Sequence, residues 1–153
     1  MKRCLMIAHC LVLVLFSSLT SAADKIDINH FKTLNELTWN AKFSAFVEDK
    51  FNYDAPYGGN LSSMILEILT RGKDIIKTKD ISYGESCMVG NCDSYKVKII
   101  QDDNGISFVV LTNTTITILY SSDINLAAFN QISSFIQENS FFNPKIVFKL
   151  YSS

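Results

Sequence analysis

The sequence predicts an α+β protein: an antiparallel sheet, built from a meander over residues 94–121 and a C-terminal strand, with helices packed on one face. Three observations carry that expectation. Apolar residues recur at three- and four-residue spacing within residues 28–50 and again within 124–138. Between residues 95 and 121 the pattern shortens to β-rich segments, the first of which alternates. The run Asp102-Asp103-Asn104-Gly105 divides that stretch with a turn signal, because Asn-Gly readily supplies positive φ.

The chain opens on Lys2 and Arg3, continues through an apolar run at residues 11–16, and becomes small and polar over 17–23. This is the three-part form of a secretory signal peptide, with cleavage after Ala23 or, as the near alternative, after Ala22. The apolar stretch is too short for a transmembrane helix and His9 breaks its extension toward the N-terminus, so no stable membrane insertion is expected. The expected organisation is a signal peptide at 1–23 and a single α+β domain at 24–153. The mature protein is then periplasmic or secreted. Some 130 residues suffice for one domain with a core of its own. No internal repeat appears, and Pro56 and Pro144 are the only prolines.

In the mature part, residues 28–50 read as a helix. Phe31, Leu34, Leu37, Ala41 and Ala45 form one apolar stripe, which Trp39, Phe43 and Phe46 widen. Residues 52–60, with Tyr53, Asp54, Pro56, Gly58 and Gly59, read as a loop. Residues 61–72 suit a helix between an Asn60 N-cap and a Gly72 C-cap. The apolar run 65–70 equally suits a buried strand, and periodicity alone leaves the two open. Residues 75–83 are β-rich but charged. Tyr95, Val97 and Ile99 alternate along a strand, residues 106–112 return beyond the Asn104-Gly105 turn, and Asn113 with Thr114 turns the chain into 115–121. Ser122 or Asp123 can cap a helix over 124–138, whose inward face carries Ile124, Ala128, Ile132, Phe135 and Ile136. Asn139 and Asn143-Pro144 end it before a final strand over 145–151.

Loss of Lys2 and Arg3 with the leader takes the formal charge from −1 to −3. So mild an acidity, without a basic block, gives nothing that would capture nucleic acid. No metal or other cofactor is expected. His30 is the sole histidine of the mature chain and reads as solvated at a helix start, and two cysteines alone do not complete a zinc site. Asp102-Asp103 and Glu48-Asp49 read as a turn and a helix end, because general acid–base chemistry needs carboxyls held in different environments within a cleft. Gly58-Gly59 lacks the strand–helix context and the Lys-Ser/Thr of a phosphate loop. Asn60-Leu61-Ser62 and Asn113-Thr114-Thr115 match the glycosylation acceptor pattern. With no catalytic constellation, the expectation is a binding protein and not an enzyme.

Cys4 and Cys10 leave with the signal peptide, so Cys87 and Cys92 remain as one possible pair in an oxidising compartment. The spacing lacks the Cys-x-x-Cys form of redox catalysis. A disulfide here closes a small loop and preorganises its tip, Met88-Val89-Gly90-Asn91, as a candidate binding surface. The Cys-x4-Cys loop leads into Asp93-Ser94-Tyr95-Lys96-Val97-Lys98-Ile99 and a meander. In this, residues 86–121 resemble the inhibitor of vertebrate lysozyme (Ivy-like) family, and Phe43-Ser44-Ala45-Phe46-Val47 and Gly58-Gly59 are similar to features upstream of the loop in that family. The resemblance implies a periplasmic α+β protein of Gram-negative bacteria whose disulfide-closed loop enters a lysozyme cleft. It implies a protein partner, a lysozyme or another cell-wall hydrolase. The family loop reads Cys-Lys-Pro-His-Asp-Cys. Here Gly90 and Asn91 stand where its His and Asp stand, so contact with a catalytic carboxylate relies on backbone N–H groups, the Asn91 amide and shape. An immunity protein against a secreted toxin and an envelope structural factor are the alternatives, with a small secreted enzyme as the rival of a different class.

Overall fold

In a computed structural model the residues described are 26–55, 58–121 and 123–151, without the Phe142 side chain. The expected signal peptide lies outside them. Along the chain come helices α1 (Leu34–Thr38), α2 (Ala41–Lys50) and α3 (Leu61–Leu69), then strands β1 (Ile76–Lys77), β2 (Ser82–Cys87), β3 (Tyr95–Asp102), β4 (Gly105–Thr112) and β5 (Thr115–Tyr120). Helix α4 (Leu126–Glu138) and strand β6 (Lys145–Leu150) complete it. The strands lie side by side in chain order in one six-stranded sheet. This is the expected α+β class.

The N-terminal helical region is broken where one helix over 28–50 was expected. A 3₁₀ turn at Ile28–His30 precedes α1, and α2 starts afresh after Asn40. The cause is local. The Thr33 hydroxyl accepts the Glu36 N–H at 3.1 Å, and the Asn40 side chain accepts the Phe43 N–H at 3.0 Å. Each satisfies an orphan donor of a new helix start, which competes with continuing the old one. Residues 61–69 are helical, with Asn60 accepting the Ser62 N–H at 2.8 Å. The cap of α4 is Asn125, not Ser122 or Asp123; its side chain accepts the Ala128 N–H at 2.8 Å.

The meander over residues 94–121 is present as β3, β4 and β5. The first turn is centred one residue earlier than Asn104-Gly105. Asp102 pairs with Gly105, and the Asp102 carboxylate accepts the Asn104 and Gly105 N–H groups at 2.8 and 3.0 Å. Gly105 opens β4 at φ +152°, a conformation that β-carbon residues avoid. Strands β1 and β2 extend the sheet antiparallel on the other side of β3. The C-terminal strand departs from the expected antiparallel arrangement: β6 runs parallel to β5. A parallel neighbour needs a crossover, and α4 supplies it.

Alternation divides the sheet's side chains between two cores, so helices cover both faces and not one. On the first face Val97, Ile99, Phe108, Val110 and Leu119 pack against α1, α2 and α3 through Leu34, Leu37, Phe43, Val47 and Ile65. Phe51 meets Phe108 edge-on at 4.8 Å. On the second face Ile100, Val109, Leu111, Ile116 and Ile118 pack against Ala128, Ile132 and Phe135 of α4. The reason is the period-two pattern of β3 to β5, which carries apolar residues at both odd and even positions.

Candidate functional site

Strands β2 and β3 form the hairpin that carries the disulfide loop. Their ladder ends with Cys87 opposite Lys96 and is prolonged by one bond, the Met88 N–H to the Tyr95 carbonyl at 3.0 Å. Cys87 and Cys92 are bonded, with their Cα atoms 4.9 Å apart. Within the loop the Asn91 N–H donates to the Met88 carbonyl at 2.9 Å, which closes a four-residue turn. Gly90 is its third residue at φ +81°, whereas Val89 has no positive φ. That combination is the signature of a type II turn, in which the third position calls for glycine. The Asn91 carbonyl then accepts the Ser94 and Tyr95 N–H groups at 3.0 and 2.9 Å, and the Asn113 N–H donates to the Ser94 carbonyl. The loop is therefore held by the disulfide, by two successive turns and by the β4–β5 hairpin.

The four predicted contact residues divide in two. Val89 is 68% exposed, and Gly90 and Asn91 are exposed beside it. Met88 is half-buried and packs against the first-face core, which ties the base of the tip to the body of the protein. A β-carbon built on Gly90 meets nothing within 4 Å. The tip thus offers one apolar side chain, an open stretch of backbone and one amide. None of residues 88–91 titrates, so this surface suits contact with a partner better than proton transfer.

A second concave region lies at the far end of β2 and β3, where Ser82 pairs with Gln101. This open cleft of about 510 Å³ is lined by Asp27, His30, Lys79, Asp80, Gln101 and Asp102, among others. Its polar groups are largely occupied with each other. The Gln101 side-chain oxygen accepts the Ile28 N–H at 2.6 Å, and its amide donates to Asp27 at 3.1 Å. Asn29 donates to the same carboxylate through its N–H at 2.9 Å and its amide at 2.7 Å. The Ser82 hydroxyl donates to Asn29. Burial raises the Asp27 carboxyl, but the Asn29 and Gln101 hydrogen bonds and nearby His30 outweigh it and hold Asp27 below its ordinary range. His30 is exposed on the 3₁₀ turn, 3.5 Å from Asp27. Among the described residues no group of three His, Cys, Asp or Glu is placed to hold a metal ion. The network fastens the N-terminal segment to the sheet. Sequence reading missed it because its members stand 73 positions apart, at Ile28 and Gln101.

Fold and loop together define the class: an α+β protein with helices on both sheet faces and a disulfide-braced turn projecting from one end of the sheet. In comparisons with known proteins, no family model, no curated protein and no solved structure matches this chain.

Proposed function

We propose that this protein is an exported, periplasmic inhibitor that inserts the turn Met88-Val89-Gly90-Asn91 into the active-site cleft of a protein partner, a lysozyme or another cell-wall hydrolase. The observation that carries the reading is the bracing of an exposed tip: the disulfide and the type II turn fix Val89, Gly90 and Asn91 before any partner arrives. A loop ordered in advance loses little conformational entropy on binding. Gly90 is the point of closest approach, because backbone without a β-carbon enters a narrow cleft. Val89 buries apolar surface, and the Asn91 amide donates to a carboxylate of the partner.

The test is a lysis assay with the mature chain, residues 24–153, against several purified lysozymes. Inhibition should appear with at least one of them. Asn91→Ala should weaken it by about 1–3 kcal/mol if the amide meets a buried carboxylate. The variant leaves the turn alone, since the bonds that shape the turn run through the Asn91 main chain. Full lysozyme activity at saturating concentrations of folded protein would rule out a lysozyme as partner, and equally full activity of a panel of other cell-wall hydrolases would rule out the reading as a whole.

A further inference from the structure

We propose that β6 is a self-pairing edge through which two copies of this chain join into one continuous sheet. The strand is six residues long and pairs with β5 on its inner side; among the described residues no strand lies on its outer side. Its inner bonds run through odd-numbered residues, for the Lys145 N–H donates to Thr114 at 2.7 Å and the Tyr151 N–H to Tyr120 at 3.0 Å. Alternation in a parallel ladder then turns the N–H and C=O groups of Ile146, Phe148 and Leu150 to the open edge. The same three residues carry exposed side chains, 42, 61 and 67% accessible. Their partners in β5 place them on the face that holds α4. An open backbone edge with an apolar stripe beside it is a template for another strand.

The sequence of the strand is complementary to a second copy of itself and favours one register. With two β6 strands antiparallel and Phe148 facing Phe148 of the second copy, Ile146 faces Leu150 and all three outward residues both donate and accept. Aromatic and aliphatic pairs then line the α4 face. On the other face Lys149, whose ammonium lies 3.9 Å from the Tyr53 ring centre, falls opposite Val147. The neighbouring registers are worse on charge. A shift centred on Val147 sets Lys145 against Lys149, and one centred on Lys149 sets that lysine against itself, which like-charge repulsion disfavours. The first of these shifts also brings Leu150 to Pro144, which has no N–H to give. The opposite edge of the sheet offers no equivalent, since β1 has only two residues. The two-fold axis would stand perpendicular to the sheet, so the two Cys87–Cys92 loops would point from opposite ends.

Light scattering of the mature chain across the micromolar range should give twice the monomer mass. Phe148→Lys should return it to a monomer with an unchanged circular dichroism spectrum. In case that variant unfolds, Phe148→Cys gives an independent reading. Residues facing themselves in a hydrogen-bonded antiparallel pair have Cα atoms about 5.5 Å apart, within disulfide range. Oxidation should therefore link two Phe148→Cys chains covalently, and should not link Lys149→Cys chains. A monomeric wild-type chain at high concentration, a dimer that persists in folded Phe148→Lys, or cross-linking of Lys149→Cys in preference to Phe148→Cys would each overturn the proposal.

Discussion

Leu34 occupies the space that two glycines leave open: a β-carbon on Gly72 would lie 2.5 Å from Leu34 Cβ, and one on Gly84 would lie 2.9 Å from Leu34 Cγ. The first residue of α1 is thereby packed between the segment after α3 and the second strand of the sheet. The two contacts differ in kind. On Gly84 the obstacle is the outer part of a flexible side chain, whereas on Gly72 it is Leu34 Cβ together with the Leu69 carbonyl at 3.0 Å.

Gly72→Ala should therefore cost more than Gly84→Ala, within the roughly 1–3 kcal/mol range of overpacked cores. Denaturant midpoints measure both. Leu34→Ala should relieve the Gly84→Ala clash, so that the double variant loses less stability than the two single changes together. Additive losses would show that Leu34 is not the obstacle.

In the loop the constraint at Gly90 is conformational and not steric, because φ is +81° while the space above it is open. Gly90→Val should destabilise the protein by about 1–2 kcal/mol, the usual cost of a left-handed residue with a β-carbon. Gly90→Asn should cost less, since asparagine tolerates that region. Equal midpoints for the two variants would contradict the type II turn.

Thiol labelling of the native protein should find neither Cys87 nor Cys92 free, and reduction should expose both. The closed loop is short, so Cys87→Ala should lower stability by only about 2 kcal/mol. A labelled thiol without reductant would remove the covalent brace from the proposed contact surface.

Much of this architecture was legible in local pattern. Asn60 as the cap of α3 and the Asn113-Thr114 turn express interactions within a few residues, and both stand as read. The Tyr95-Val97-Ile99 alternation instead marks a strand that is buried on both faces and not half-buried, because α4 covers Lys98 and Ile100. What was not legible is non-local. Nothing in residues 145–150 tells a parallel partner from an antiparallel one, because that depends on the path the chain takes through α4. The strand Ser82–Cys87 was obscured because its first-face positions hold the small residues Ser82, Gly84 and Ser86: Gly84 and Ser86 fit beneath α1 and α3, and Ser82 meets Asn29 of the 3₁₀ turn. Ser86, for instance, hydrogen-bonds the Ile68 carbonyl at 2.7 Å. At the loop, residue identities marked the candidate tip, but the half-burial of Met88 follows from the core beneath it.

Beneath α4, Lys98 is only 5% exposed and lies 3.4 Å from the Glu85 carboxylate, with the Tyr83 and Phe135 ring centres at 5.5 and 6.0 Å. Its partner is about one-third accessible, so water screens part of their attraction. Glu85→Ala strands a buried ammonium and should cost about 1–2 kcal/mol, whereas Lys98→Met, which removes the charge and keeps the volume, should be neutral or stabilising by roughly 1 kcal/mol. Thermal melts of the two variants distinguish these outcomes. A larger loss from Lys98→Met than from Glu85→Ala would mean that the ion pair itself holds β2 to β3.

The Asp27 network gives the protein an acid-sensitive seam between its N-terminal segment and the sheet. The folded state holds this carboxyl below its ordinary range, so the folded state binds a proton less readily than the unfolded chain does. The stabilisation is therefore complete above the unfolded carboxyl range and fades as pH falls through the folded value. Protonation would set a hydroxyl where Asn29 and Gln101 now donate, and would release the hold on Ile28 that Gln101 provides. Amide exchange at Ile28 and Asn29 should accelerate on acidification before the β3–β5 amides lose protection. In Asp27→Asn those two amides should already exchange fast at neutral pH, with little further change as pH falls. Unchanged protection at Ile28 and Asn29 in that variant would show that the segment is held by the burial of Ile28 alone.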